Sequence, residues 1–218
     1  MPFLRDVRLY KRTQKEKTML DKSIPYRDIL MRADGVSPGF SLKLPDDIHI
    51  KTYDTGDEKE WAAIETSIGE FDCLMKAEER FAKDFLGVPS EARRRCFFAL
   101  SPQGVFAGTC SAWFEKTGEN ETGLLHWFAV RPEYQRMGVG TALLKRVMQF
   151  FEEENTFPVY LHTQTWSHEA IRLYMKAGFY MLKDAAFQRN ENDYEQAVSI
   201  LRSVVPPDML QKWIDASR

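Results

Sequence analysis

Apolar side chains recur along this chain with two different spacings, one typical of strands and one typical of helices. Residues 48–53 alternate apolar and polar side chains, as a half-buried strand does. Two apolar runs at 96–100 and 105–114, separated by Pro102-Gln103-Gly104, predict a β-hairpin. Further strands are predicted at 124–130, 159–165 and 179–187, with a loop at 117–123.

Helices are predicted where apolar residues return every three or four positions. Trp61, Ile64 and Ile68 share one side of a helix, and Asp57 with Glu60 form a capping signature at its start. The other predicted helices run from Leu74 to a stop at Gly87-Val88-Pro89, over about 138–154, over 168–177 with Gly178 as a left-handed terminator, and over 193–204 and 208–216.

The order of these elements predicts the fold class and the division of the chain. Strands first pair as a hairpin and later alternate with helices, which indicates a mixed α/β (α+β) fold around one sheet. The turn-rich residues 37–39 and 44–47 mark the predicted start of the core. We therefore expect an N-terminal arm over 1–45, a core domain over 46–188 and a helical extension over 189–218. The two C-terminal helices would either cover the sheet edge or pack against a partner in a homodimer.

Composition excludes several classes of protein. Of 218 residues, 44% are hydrophobic and 28% charged, which is globular and not disordered composition. The net charge of −2 makes a nucleic-acid partner unlikely, although residues 1–32 are basic and residues 54–72 acidic. No apolar stretch approaches the ~20 residues of a membrane span, and nothing indicates export, so a cytoplasmic location is expected. Three cysteines without a CxxC pair predict neither a disulfide framework nor a metal site.

One segment between a predicted strand and a long helix carries a phosphate-binding pattern. Glycines at a strand-to-helix turn let backbone N–H groups approach an anion, and the helix N-terminus favours negative charge. The P-loop pattern is absent, and GxGxxG fails because Leu143 occupies its third glycine position. The pattern present is Gln135-x-x-Gly138-x-Gly140.

This pattern resembles the first signature of the GNAT superfamily of acyl-CoA-dependent N-acyltransferases. Residues 167–179, Ser-His-Glu-Ala-Ile-Arg-Leu-Tyr-Met-Lys-Ala-Gly-Phe, resemble the family's second signature, with Ser167 where the family usually has Asn. The match is tight over about 124–182, loose back to about 48, and absent in the arm and tail. The resemblance implies a single, mostly antiparallel sheet with a splayed central strand pair and flanking helices.

The resemblance also implies where acetyl-CoA would bind. The main chain of Phe128, Ala129 and Val130 would face the pantetheine and the thioester oxygen, with Ser167 and Tyr174 nearby. Ser167 can cap the following helix. The diphosphate would lie against the loop that consists of Gln135, Arg136, Met137, Gly138, Val139, Gly140 and Thr141.

Two residues are candidates for proton transfer. An alkylammonium acceptor must lose a proton before it attacks the thioester, and the departing thiolate must gain one. Tyr174 matches the family tyrosine that serves the thiolate. His126 lies at an even offset from Phe128 and Val130, which predicts that all three share one face of the strand. The run from Leu125 also resembles the strand of serotonin N-acetyltransferases in which a histidine removes the amine proton.

The acceptor is less well defined. The family shapes its acceptor site with the segment between the first two helices, here Glu70, Phe71 and Asp72, whose acids would suit a cationic amine. Trp127, with two other tryptophans, is a candidate for an aromatic pocket. Three functions stay open: acetylation of a small-molecule primary amine, acetylation of a protein lysine or N-terminus, and acyl-CoA sensing without turnover.

Overall fold

A seven-stranded sheet forms the centre of the computed structural model, which describes residues 20–44, 47–117, 120–184 and 192–218. Within these residues the strand order is β2-β3-β4-β5-β6-β1-β7, and only β5 and β6 pair in parallel. The expected single mixed sheet, mostly antiparallel, is confirmed. The strands are β1 (Asp28–Ala33), β2 (His49–Thr52), β3 (Cys96–Leu100), β4 (Phe106–Thr117), β5 (Asn120–Val130), β6 (Val159–Gln164) and β7 (Tyr180–Met181).

Helices cover both faces of this sheet. The helices in the described residues are α1 (Glu58–Ser67), α2 (Leu74–Phe85), α3 (Pro89–Arg95), α4 (Val139–Glu153), α5 (His168–Ala177), α6 (Tyr194–Leu201) and α7 (Pro207–Ala216). All except α3 lie close to predicted helices. The sequence pattern at Pro89 was interpreted as a stop, but proline is well tolerated in the first turn of a new helix, and α3 begins there.

Two hydrophobic cores lie on opposite faces of the sheet. Helix α4 buries Leu143 and Phe151 completely in one core, which also includes Ile171 of α5. Helices α1 and α2 bury Trp61 and Phe85 in the other core. These two layers hold the sheet in place, so the position of a residue on β5 decides which core its side chain enters.

Strand β1 is a feature that the sequence analysis missed. Residues 28–33 fall within the predicted arm, yet they pair with β6 on one side and with β7 on the other. Ile29, Leu30 and Met31 are consecutive and fully buried. Since both faces of this strand are covered, it lacks the apolar–polar alternation by which half-buried strands are recognised. Residues 1–19 of the predicted arm lie outside the described part of the chain.

The hairpin of β4 and β5 is longer than predicted. Residues 117–123 were expected to form a loop, but the strands pair as far as Thr117 and Asn120. Lys116 pairs with Glu121 across the strands, with 3.6 Å between their charged groups. The prediction was wrong because the outer part of this hairpin carries polar side chains, and the apolar pattern ends before the strands do. The predicted strand 179–187 contains only the short β7, and residues 185–187 are not among those described.

Gly178 ends α5 in the left-handed conformation that its position predicts, with φ of 115°. A Cβ atom there would lie 2.8 Å from the Gly35 carbonyl oxygen and 2.9 Å from the Ser37 nitrogen. We therefore expect Gly178→Ala to lower the free energy of unfolding by about 2 kcal/mol in urea denaturation. Gly35→Ala is the control, since a Cβ at Gly35 meets no atom within 4 Å. Equal stability of the two variants would contradict this expectation.

Candidate active site

A cleft opens where β5 and β6 separate. The two strands pair only at Gly123 with Val159 and at Leu124 with Tyr160. Beyond these residues they diverge around a cleft of about 1090 Å³, which α5 also lines. The splayed central strand pair is thus present, and the edge of β5 from residue 125 onward has no ladder partner on its β6 side.

A bulge in β5 turns one side chain of this edge to an unexpected face. Thr109 pairs with Ala129 whereas Ser111 pairs with His126, so β5 has one more residue than β4 in this interval. Trp127 lies in this bulge and adopts a positive φ of 49°. The prediction that His126 shares a face with Phe128 is therefore wrong, because strand alternation is interrupted between them.

His126 points toward the core formed with α1 and α2. Its ring centroid lies 6.4 Å from that of Phe85 and 5.1 Å from that of Trp127. Its Nδ1 atom is buried with no hydrogen-bond partner among the described residues. Burial lowers the pKa of His126 to about 4, against an opposing effect of the nearby Asp84 carboxylate. The imidazole is therefore neutral at neutral pH and lines the cleft in a form that can accept a proton.

Tyr174 faces the cleft from the opposite core. Its ring centroid lies 5.7 Å from that of Phe128 and 5.9 Å from that of Phe179. Burial raises the pKa of Tyr174 well above its ordinary value, so the phenol keeps its proton at neutral pH. The described residues provide no hydrogen-bond partner for its hydroxyl. Tyr174 is thus a neutral donor at the wall of the cleft.

The glycine loop has a backbone suited to an anion. Arg136 and Gly138 adopt positive φ angles of 65° and 88°, and α4 begins immediately afterwards at Val139. Such alternation turns successive N–H groups toward one side, and the first N–H groups of a helix lack intrahelical partners. Gly140 allows α4 to approach β5, because a Cβ there would lie 3.1 Å from Cζ of Phe128. The main chain of this loop therefore fits a diphosphate.

The polar side chains beside this loop have other partners. Gln135 donates from Nε2 to the Val130 carbonyl over 3.1 Å, which ties the loop to the end of β5. Arg136 forms an exposed ion pair with Glu169, 3.2 Å apart. Ser167 precedes α5 at the N-cap position but makes no side-chain capping bond, so the expected cap is wrong, and Ser167 lines the cleft instead.

The predicted acceptor residues do not all reach the cleft. Glu70 and Trp127 line it, and the Trp127 indole donates to Asp84 over 3.0 Å. Phe71 packs beside Trp127, with ring centroids 5.7 Å apart. Asp72 is 83% exposed and pairs with a lysine on the surface, so the structure separates it from the others.

The N-terminal bridge, residues 20–27, connects the two walls of the cleft at the end that Glu70 and Trp127 line. At one end the Leu20 N–H donates to the Ile68 carbonyl, after α1, over 3.1 Å. At the other end the Arg27 N–H donates to Oγ1 of Thr165, after β6, over 3.2 Å. The Tyr26 ring lies edge-on to a cleft-lining tryptophan at the same end. The bridge thus bounds the space that Glu70 and Trp127 line.

Comparison with known proteins decides the family. A family model described as the acetyltransferase (GNAT) family matches residues 59–179, more than half of the chain. The chain belongs to the GNAT acetyltransferase family.

Individual relatives agree with this GNAT assignment. N-alpha-acetyltransferase 50 of Danio rerio is 39% identical over 106 residues, which are 48% of this chain and 60% of the relative. A GCN5-related N-acetyltransferase of Sphaerobacter thermophilus superposes with a TM-score of 0.55 at 22% identity, covering 79% of this chain and 52% of that one. An aminoglycoside N-acetyltransferase solved with CoA gives a TM-score of 0.51 at 14% identity, covering 66% of this chain and 95% of that one. The two structures share the fold, and the chain spans between half and two thirds of the first two proteins.

The GNAT cleft also contains residues that the sequence analysis did not select. Glu65 on α1 is only 2% exposed and lines the cleft. It lies four positions after Trp61 on the apolar stripe of a helix, and a charged residue on such a stripe is the signal that could have identified it. Tyr26 and His162 also line the cleft. Tyr26 was missed because the bridge was assigned to an arm, whereas His162 was not selected although its strand was predicted.

No helix in the described parts of this GNAT chain has the length and apolar character needed to cross a lipid bilayer.

Proposed function

We propose that this GNAT enzyme transfers the acetyl group of acetyl-CoA directly to the primary amine of a small cationic molecule. The family and the backbone of the glycine loop support acetyl-CoA as the donor. The bridge is the observation that carries the choice of acceptor. Because it spans the acceptor end, the space inside suits a small aromatic-contacting amine better than the lysine of a folded protein, which needs an open groove.

Direct transfer is supported by the state of the cysteines. Burial raises the pKa of Cys96 to about 12 and raises that of Cys110 well above its ordinary value. A buried thiol of this kind is a poor nucleophile because the thiolate is the reactive form. Cys73 is partly exposed but does not line the cleft. Attack by the amine on the bound thioester therefore needs no cysteine carrier.

In this proposal, different residues of the chain bind the cofactor and transfer protons. The amides of residues 136–141 hold the diphosphate, and the unpaired edge of β5 holds the arm that leads to the thioester. Tyr174 gives its proton to the departing sulfur. His126, neutral at physiological pH, accepts a proton from the amine nitrogen.

A second candidate function rests on the 39% identity to N-alpha-acetyltransferase 50. In that case the acceptor would be the N-terminal amine of a protein, entering as an extended peptide and not as a free small molecule. Such a peptide would have to pass the bridge at Tyr26.

CoA release by the purified full chain separates these functions. Acetyl-CoA is mixed in turn with small amines (2-phenylethylamine and 1,4-diaminobutane) and with peptides bearing a free N-terminus or one lysine. We expect release with small amines only. Faster release with the peptides would favour the second candidate. CoA binding without release from any acceptor would indicate a sensor and overturn the proposal.

Replacing His126 by Gln tests its role. We expect kcat with a fixed amine to fall about 10-fold, because the substituted amide cannot take up a proton. The pKa of about 4 predicts that protonation of the imidazole adds a further decline in the wild-type rate as the pH falls through 4, and that this contribution is lost in the variant. Circular dichroism at each pH excludes unfolding. An unchanged rate with an unchanged acid limb would remove His126 from the reaction.

A further inference from the structure

Glu65 is a buried carboxyl group without a partner. It projects from α1, is 2% exposed, and its Oε1 atom has no hydrogen-bond partner among the described residues. Its remaining exposure is at the cleft wall. Carboxyl groups are rarely buried in this way unless they are paired, because loss of hydration is costly. An unpaired one at a binding cleft indicates that its partner arrives with the ligand.

The charges around Glu65 do not supply that partner. Glu70, which follows α1, has the same sign and raises the pKa of Glu65, in addition to the larger effect of burial. Two cations of α2, Arg80 and Lys83, line the cleft, and Arg80 is paired with Asp84 over 2.7 Å. The described residues contain no ion pair to Glu65. A positive ligand group would therefore meet a carboxyl that nothing else neutralises.

Glu65 also faces the same interior space as the proposed proton donor. Burial is the main cause of the raised pKa of Tyr174, and the Glu65 carboxylate contributes to it; both side chains line the cleft. His126 enters the same space from β5. Three polar groups, from α1, β5 and α5, thus line one cleft, and Oε1 of Glu65 and Nδ1 of His126 are buried with no hydrogen-bond partner among the described residues.

We propose that Glu65 binds the ammonium group of the acceptor and takes its first proton. This inference rests on the proposed function and identifies the acceptor as an alkylamine that is cationic in solution. A neutral amine would leave Glu65 unpaired and would gain nothing from it. Glu65 is then both the residue that selects a charged acceptor and the base that prepares it.

The protons balance with two acceptors and one donor. The ammonium nitrogen loses one proton to an Oε atom of Glu65, and its freed electron pair forms the bond to the thioester carbonyl carbon. The nitrogen then carries a positive charge and is strongly acidic, so the weakly basic His126 suffices to take the second proton. The carbon–sulfur bond breaks, and the sulfur takes the proton of Tyr174. The products are the amide and the free thiol, the tyrosine regains a proton from His126, and Glu65 releases its proton to solvent.

Glu65→Gln tests the proposal, because glutamine keeps the shape and loses the charge and the base. The probes are 2-phenylethylamine, which is cationic at pH 7, and 4-methylaniline, which is neutral there. We expect kcat/KM for 2-phenylethylamine to fall at least ~10-fold and that for 4-methylaniline to change less than ~3-fold. Glu65→Asp, which retains a carboxyl group, should recover part of the loss. If the role of Glu65 were purely structural, the substitution would lower kcat/KM equally for both substrates.

A matched variant and a stability measurement serve as controls for Glu65→Gln. Glu78→Gln makes the same change at an exposed position on α2 outside the cleft, and it should leave both values unchanged. The thermal midpoint of Glu65→Gln should not fall, since an unpaired buried carboxyl is removed. Wild-type turnover with an unaltered ratio of the two substrates in Glu65→Gln would overturn this inference alone. Absence of wild-type turnover with every amine would overturn the proposed function and the inference together.

Discussion

Tyr174→Phe is expected to lower kcat about 10²-fold while leaving the Kd for CoA unchanged. The phenol lies at the cleft wall, and its raised pKa keeps the proton in place until the thiolate forms. Phenylalanine preserves the ring contacts with Phe128 and Phe179 and removes only the donor. The loss should therefore appear in kcat and not in the binding of either substrate.

Tyr180→Phe is the matched control for this change. Tyr180 lies on β7, away from the cleft, and its hydroxyl donates to Asp34 over 2.9 Å. Removal of that hydroxyl should affect kcat less than ~2-fold, although the hydrogen bond itself contributes about 1 kcal/mol to stability. CoA release is measured with saturating acetyl-CoA, and Kd is measured by calorimetry. Full activity of Tyr174→Phe would show that solvent protonates the thiolate and that Tyr174 is only a core aromatic.

The parts of this site that sequence could predict are those in which chemistry depends on local backbone. The Gly138 and Gly140 spacing and the helix that follows are encoded within a few residues, and the structure places them as expected. The same holds for Gly178 and for Tyr174, whose helix has the apolar spacing of a buried stripe. Short-range sterics fix these elements, so one stretch of sequence contains enough information.

Other features depend on partners that are distant in sequence. The bulge at Trp127 exists because β5 must match β4 in register, and it reverses the face of His126 that alternation predicts. Strand β1 joins the sheet only because β6 and β7 leave a gap between them, 126 or more residues further along the chain. The sequence near residue 28 contains no local pattern from which that gap could be predicted.

The role of Glu65 could not be predicted from the sequence for a third reason. Its position on the apolar stripe of α1 is visible in the sequence, but its lack of a hydrogen-bond partner among the described residues is visible only in the structure. Whether a buried charge is neutralised is a property of the whole cleft, and the functional meaning of Glu65 follows only from that property. The basic character of residues 1–32 likewise gave no indication that the bridge borders the cleft.

Gly138→Val is expected to weaken CoA binding between ~10-fold and ~100-fold. A β-branched residue at a φ of 88° costs about 1–3 kcal/mol, so the loop would relax and turn its N–H groups away from the diphosphate. Space is not the cause, since a Cβ at this position meets only Cδ1 of Ile48, at an ordinary 3.7 Å. The effect therefore isolates the backbone conformation of the loop.

Two companion variants separate backbone from side chain in calorimetric titrations with CoA. Gly138→Asn should stay within ~3-fold of the wild-type Kd, because asparagine tolerates the left-handed region. Met137→Ala removes a side chain that is 60% exposed in the same loop and should have no effect. Wild-type affinity in Gly138→Val would mean that the diphosphate is held elsewhere. Equal losses of CoA affinity in Gly138→Val and Gly138→Asn would show that the size of the side chain, and not the direction of the amides, weakens binding.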